Sequence, residues 1–290
     1  MNCFYYQIAG LTIKVISSRL DGFRTLDAFA MDHPSEIIDL EIMTTPSVHV
    51  SIPEGRLLID DQAKWVCIPG AYYNTSVYLP NETTGEVICR ADANEDWSSA
   101  EITYVENEEI VEAIVAGFLL EIIFRNRLLF KQGIVIHASA ISWEGQGIAF
   151  TAPSGTGKST QARLWAEHMQ ARVLNDDRPA IRLIDQNPTI YGTPWSGSKT
   201  LYYNASAPLK AIVLLEQAPE NEIINLSAAQ AVSKIMPRCF LPYYDQVIMG
   251  MCLNTLGEMI SGISVYHLKC RPDMGAVKLL HQCLANQYYI

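Results

Sequence analysis

With 290 residues, 49% of them hydrophobic, the chain is long enough for two domains or one large one and too apolar for wholesale disorder. A net charge of −10 argues against nucleic acid or an anionic membrane as the main partner, so any phosphate site has to be a local positive island. Seven cysteines, an odd count without a C-x-x-C pair, suit reduced thiols in a cytoplasmic protein rather than a disulfide framework or a zinc site. Met1 to Gln7 hold no basic segment followed by an apolar run, so no secretory leader is expected.

Residues 1–105 read as β-rich. Short runs at Tyr5–Ile8, Leu11–Ile16, Ile37–Ile42, Arg56–Ile59 and Trp65–Ile68 are separated by turn residues such as Ala9-Gly10 and Pro69-Gly70. Ile38, Leu40 and Ile42 alternate with Asp39 and Glu41, the pattern of a sheet with one wet face. Asp60-Asp61 and the acids of Asp92–Asp96 read as solvated loops in preference to a metal site. No role follows from this region alone; a lid, a recognition module and a homo-oligomer contact all remain open.

A second domain is expected over 106–290. Its first element is an apolar helix from about Asn107 to Phe130; Glu112 and Glu121 interrupt it, so it reads as a core helix rather than a membrane span. A strand follows over Ile134–Trp143, a tight turn at Glu144-Gly145-Gln146, and a strand from Gly147 to Thr151. A helix running to about Gln170 precedes strands at Arg172–Leu174, Pro179–Ile184, Thr189–Gly192 and Lys210–Leu215. The remaining pattern is a helix capped by Ser227, a long helix opened by Leu241-Pro242 and ending near Ser261, a strand at Val265–Leu268, and a helix from Gly275 to about Gln287. The fold class is α/β around a nucleotide site, with a β-rich N-terminal half.

The chemistry is concentrated in one stretch. An apolar strand runs into Ala152, then Pro153-Ser154-Gly155-Thr156-Gly157-Lys158-Ser159-Thr160, then a helix. That is the order of a phosphate-binding P-loop, with Ala152 where the strict pattern has glycine. Backbone N–H groups and the helix N-terminus form the anion cradle. Lys158 is expected to reach the β and γ phosphates of ATP, and the Ser159 hydroxyl to bind Mg²⁺.

Asp176 and Asp177 end the strand after the P-loop helix. In a parallel arrangement that end lies beside the loop, where one carboxylate can serve Mg²⁺ and the other can take a proton from an attacking hydroxyl. His137, on the strand before the P-loop strand, reads from chemistry alone as either a satisfied core residue or a member of the site.

His137-Ala-Ser-Ala, the Glu144–Gly147 turn, Ala152–Ser159 and Asn175-Asp176-Asp177 together resemble the catalytic core of the HPr kinase/phosphorylase family. That active site is related to the one in ATP-type phosphoenolpyruvate carboxykinase. The resemblance covers about residues 131–270. It implies a P-loop phosphotransferase core with a mixed sheet, with His137 near the acceptor, Asp176 as general base, and Asp177 with Ser159 on the metal. The family's Glu/Arg/Gly-rich segment downstream of the acids has no match here: Tyr191–Gly197 holds no acid and no arginine.

In the following loop, Trp195 is open to two readings, stacking on an acceptor or packing inward, and Lys199 is a candidate phosphate contact. Arg163, Arg178 and Arg238 are further candidate cations, the first two equally readable as ion-pair or surface residues. The functional expectation is Mg-ATP-dependent transfer to a hydroxyl, of a serine in a protein, a peptide or the free amino acid. The alternative is a nucleotide-gated binding module without transfer.

Overall fold

The computed structural model describes residues 1–33, 35–107, 111–197 and 201–285. The chain folds as mixed α/β and divides into two compact units. The first holds Met1–Phe130 with Tyr243–Asp245; the second holds the rest.

In the first unit the strands β1 (Asn2–Ile8), β2 (Leu11–Ser17), β3 (Leu40–Ser47), β4 (Arg56–Asp60), β5 (Lys64–Cys67), β6 (Tyr73–Pro80), β7 (Val87–Asn94) and β8 (Ser99–Val105) form one sheet. Their order is β1-β2-β3-β8-β7-β6-β5-β4. Pairing is antiparallel except for β2–β3 and β3–β8. β3 begins later than the sequence pattern predicts: Leu40 and Ile42 are buried, while Ile37 and Ile38 are exposed and lie outside the strand. The sequence reading names no strand over β6, β7 or β8, although β6 and β8 hold branched and aromatic residues such as Val77, Tyr78, Ile102 and Val105. β7 buries Val87, Cys89, Ala91 and Ala93 in strict alternation, and small residues carry little β signal.

The sequence reading opens the second domain at 106, whereas the compact units divide after Phe130. The apolar segment belongs to the first unit, as a π-helix over Val111–Leu119 continuing into α1 (Leu120–Leu129). Its Glu112 accepts bonds from Thr25 and Arg24, and its Arg127 reaches Asp96, which ties it to that unit. The acids of this unit are likewise held by neighbours: Asp60 pairs with Lys64, and Asp92 with Arg90 and Ser76.

The second unit contains β9 (Gly133–Val135), β10 (Ala138–Trp143), β11 (Gln146–Thr151), α2 (Lys158–Met169), β12 (Arg172–Asn175), β13 (Ala180–Ile184), β14 (Asn187–Tyr191), β15 (Ser206–Gln217), β16 (Glu222–Asn225), α3 (Ala228–Ile235), α4 (Gln246–Ser261), β17 (Ser264–Cys270) and α5 (Met274–Ala285). The long helix therefore starts at Gln246, not at Leu241-Pro242, and Ser227 caps α3 through a capping box with Gln230. The strands run β12-β10-β11-β15-β14-β13-β9, with β17 added to the far end of β15 and β16 beside it. α2 and α5 cover one face. Trp165, Ala162, Val277 and Leu280 pack there on Ile141, Phe150, Val213 and Leu268.

One feature of this sheet makes the site. β11 and β12 are not neighbours; β10 lies between them, antiparallel to both. Two antiparallel steps leave β11 and β12 pointing the same way. Their C-terminal ends, and the N-terminal end of β10, thus share one sheet edge.

Candidate active site

That edge carries the P-loop after β11, Asp176 and Asp177 after β12, and His137 before β10. The single strand expected over Ile134–Trp143 is broken at this point. β9 pairs with β13, β10 pairs with β11, and Ile136-His137 form the crossing between them. Backbone bonds fix the crossing: His137 N–H donates to Arg238 O (2.7 Å), Ala138 N–H to Asp177 O (3.0 Å), and Thr151 Oγ1 to His137 O (2.8 Å).

In the P-loop, Gly155 and Gly157 have φ of 77° and 113°, which L side chains avoid. Gly157 precedes the first turn of α2 and has no side-chain cap, so the helix N-terminus faces the loop's concavity. Lys158 is 8% exposed, and its Nζ donates to Ala152 O (3.2 Å) and Pro153 O (3.4 Å). Burial pushes its pKa down; the nearby Asp177 opposes this and Arg238 adds to it.

Asp177 meets His137 Nε2 through Oδ1 (3.1 Å) and Arg178 Nε through Oδ2 (3.1 Å). The hydrogen bond from His137 is the largest reason its carboxyl titrates below the usual 3.8, with Arg178 and Lys158 adding to it against burial. Asp176 is 6% exposed and accepts Gly197 N–H on Oδ1 (2.9 Å), which leaves Oδ2 for another partner. A cavity of about 350 Å³ brings together His137, Ser154, Gly155, Gly157, Lys158, Ser159, Thr160, Asp176, Asp177 and Gly197. Of the eight loop positions read from sequence, Pro153 and Thr156 line the neighbouring cavity instead.

Asn175 and Thr193 do work that motif reading alone did not assign. Asn175 is fully buried. Its Oδ1 accepts Asp177 N–H (2.9 Å) and Arg178 N–H (2.7 Å), shaping the acidic turn. Its Nδ2 donates to Thr193 O (3.0 Å), Thr193 Oγ1 (3.2 Å) and Trp195 O (3.0 Å). One amide thus ties the acidic turn to the 193–197 loop. The sequence signal was present: an Asn whose side chain bonds the N–H two residues on is the usual start of an Asx turn. Gly192 is required beside it, because a Cβ there would meet Tyr203 O at 2.0 Å and Leu174 O at 2.7 Å.

Trp195 is 4% exposed and packs inward, so it offers no stacking surface to an acceptor. Arg163 lies on the outer face of α2 with Glu167 in reach (4.0 Å). Lys199 lies outside the described residues. Arg238 does approach the loop, lining the cavity beside it. Among the described residues no group of three or more His, Cys, Asp or Glu side chains is arranged to hold a metal, and no helix is long and apolar enough to cross a membrane. The donor set fits Mg²⁺ in the form that ion favours with nucleotides, one or two protein oxygens plus substrate phosphates.

Comparison with known proteins gives a family and a distant likeness. Residues 100–249, just over half of the chain, match the family model described as SynChlorMet cassette protein ScmC. That span includes His137, the P-loop and both aspartates. No curated protein matches the chain. Among solved structures, the HPr(Ser) kinase/phosphatase from Coxiella burnetii is similar at a TM-score of 0.29 and 12% identity, over 53% of this chain and 95% of that one. Likeness at that level is distant and carries no weight on mechanism.

Proposed function

The chain belongs to the ScmC family of SynChlorMet cassette proteins, and we propose that it is a Mg-ATP-dependent phosphotransferase acting on a hydroxyl, with a core of the HPr kinase type. The observation that carries this reading is the meeting at one sheet edge of an anion cradle, a buried lysine, two carboxylates and an imidazole. They come from three separate segments, and phosphoryl transfer needs a phosphate cradle, a cation and a base or positioning group in one place.

The loop N–H groups and Lys158 hold the phosphates and neutralise their charge. Ser159 and Asp177, together with the phosphates, would hold Mg²⁺, which would supply further charge neutralisation. Asp176 takes the acceptor's proton on Oδ2 while Gly197 N–H keeps the carboxylate oriented. The acceptor oxygen forms its bond to the γ-phosphorus as the bond to the β–γ bridging oxygen breaks. ADP leaves with that electron pair. His137, hydrogen-bonded to Asp177, orients that carboxylate and faces the incoming hydroxyl.

One observation favours the second reading, a nucleotide-gated module without transfer. Each oxygen of Asp177 already has a cationic or N–H partner, His137 on one and Arg178 on the other, so a metal there would have to share an occupied oxygen. Product formation from ATP with serine-containing peptides and free L-serine, in wild type, Lys158→Ala and Asp176→Asn, separates the readings. Transfer lost in both variants, with nucleotide binding kept in Asp176→Asn, supports the phosphotransferase. Calorimetric ATP binding without phosphoproduct from any acceptor supports the module.

A further inference from the structure

The cradle opens on two sides, and the two sides differ. Lys158 Nζ lies against the carbonyls of Ala152 and Pro153, so the terminal-phosphate end of the cradle is at the start of the loop. Thr160, in the first turn of α2, marks the other end. A cavity of about 390 Å³ adjoins Gly157, Thr160 and Gln161 and is walled by Cys270, Arg271 and Pro272; this is the nucleoside side. A larger cavity, about 640 Å³, adjoins Ala152, Pro153 and Ser154; it shares Ser154 and Gly155 with the cavity of the aspartates, and Gly155, Thr156, Leu215 and Gln217 with the nucleoside side.

The larger cavity is unlike the acidic protein around it. Lys234 and Arg238 line it. Among the described residues the one acid lining it, Glu216, is paired with His267 at 2.9 Å. Arg238 is half-exposed, but its Nε is buried and has no hydrogen-bond partner among the described residues, a donor that an anion in the cavity would complete. Arg238 is also fixed with respect to the chemistry, because its carbonyl accepts His137 N–H at 2.7 Å. The rest of the wall combines Leu214, Leu215 and Pro237, which admit a short carbon skeleton, with the polar Thr156 and Gln217.

Resting on the phosphotransferase reading, we propose that this cavity is the acceptor lobe and that Arg238, assisted by Lys234, holds a carboxylate of the acceptor. The acceptor is then a hydroxyl-bearing molecule that carries a carboxylate near the hydroxyl. Free serine has that chemistry, and so does a peptide with its carboxylate beside a serine.

The test compares four acceptors with Mg-ATP: L-serine, serinamide, a peptide ending in serine, and the same peptide amidated. Wild type should prefer the acid over the amide by about tenfold to a hundredfold in kcat/KM, the worth of one charged hydrogen-bonded contact. The preferred pair tells a free amino acid from a peptide. In Arg238→Met the preference should collapse through acceptor KM, with ATP KM unchanged, and Arg238→Lys should restore part of it. Lys234→Met, at an exposed position, should lose about twofold to fivefold. Equal use of acid and amide by wild type overturns the carboxylate site while leaving phosphotransfer standing. An Arg238→Met defect confined to ATP KM overturns it as well. No product from any of the four, with no calorimetric binding of L-serine or the peptide acid to protein loaded with a non-hydrolysable ATP analogue, overturns both proposals.

Discussion

Each unit of this chain buries a cation to the same degree, and the two are treated in opposite ways. Arg127 of the first unit and Lys158 of the second are both 8% exposed. Arg127 is matched by an acid and two carbonyls: its Nη1 meets Asp96 Oδ2 at 2.7 Å and Asp96 O at 3.0 Å, and its Nε meets Asp39 O at 2.8 Å. Lys158 has two carbonyls and, among the described residues, no carboxylate within ion-pair reach. The first arrangement is what a buried charge needs to hold a fold together. The second costs stability and makes sense for a group whose partner is a ligand.

Neutralising each cation should therefore have opposite effects. Lys158→Met should weaken ATP binding by at least about a hundredfold, the largest change expected, measured by calorimetry. The same substitution should raise the melting temperature, because a depressed lysine pKa means the folded state holds that proton at a cost. A lower melting temperature in Lys158→Met would erase the contrast.

Asn175→Ala should come next, at about 2–4 kcal/mol in denaturant unfolding, since it strands buried donors and acceptors on both sides of the amide. Phosphotransfer should fall with it, as the acidic turn loses its shape. Arg127→Met should cost about 2–3 kcal/mol, read as a lower urea midpoint. It stays below the cost of breaking a fully buried pair because the Asp96 side chain is 45% exposed and can rehydrate.

The smallest effect is in acid. Asp177 titrates below its ordinary 3.8, chiefly through the His137 hydrogen bond. Its contribution is present above about pH 3.8 and is lost as the pH falls through the folded value. Asp177→Asn should flatten the acid limb of the stability profile. An unchanged acid limb would mean that the pair with His137 contributes nothing.

The same contrast explains what was readable in the sequence. The strand, Gly-rich loop and helix around Lys158 were legible because glycines at positive φ between an apolar run and a helix are local requirements. The meeting of His137 with the acids was legible only through resemblance. Its physical cause, β10 inserted antiparallel between β11 and β12, is a pairing between distant segments that no local pattern encodes. The β-rich half showed its strands where branched residues dominate and hid them where β7 packs alanines. The division after Phe130 was hidden too, because an apolar helix does not announce which sheet it will cover.

The claim at the centre is that three segments surround one terminal phosphoryl group. A crystal structure with Mg²⁺ and a non-hydrolysable ATP analogue tests it most directly. The account predicts the γ-phosphate within hydrogen-bond reach of Lys158 Nζ, with Asp176 Oδ2 and the His137 ring facing it from the acceptor side. A γ-phosphate turned away from both, or a nucleotide bound elsewhere, would contradict it.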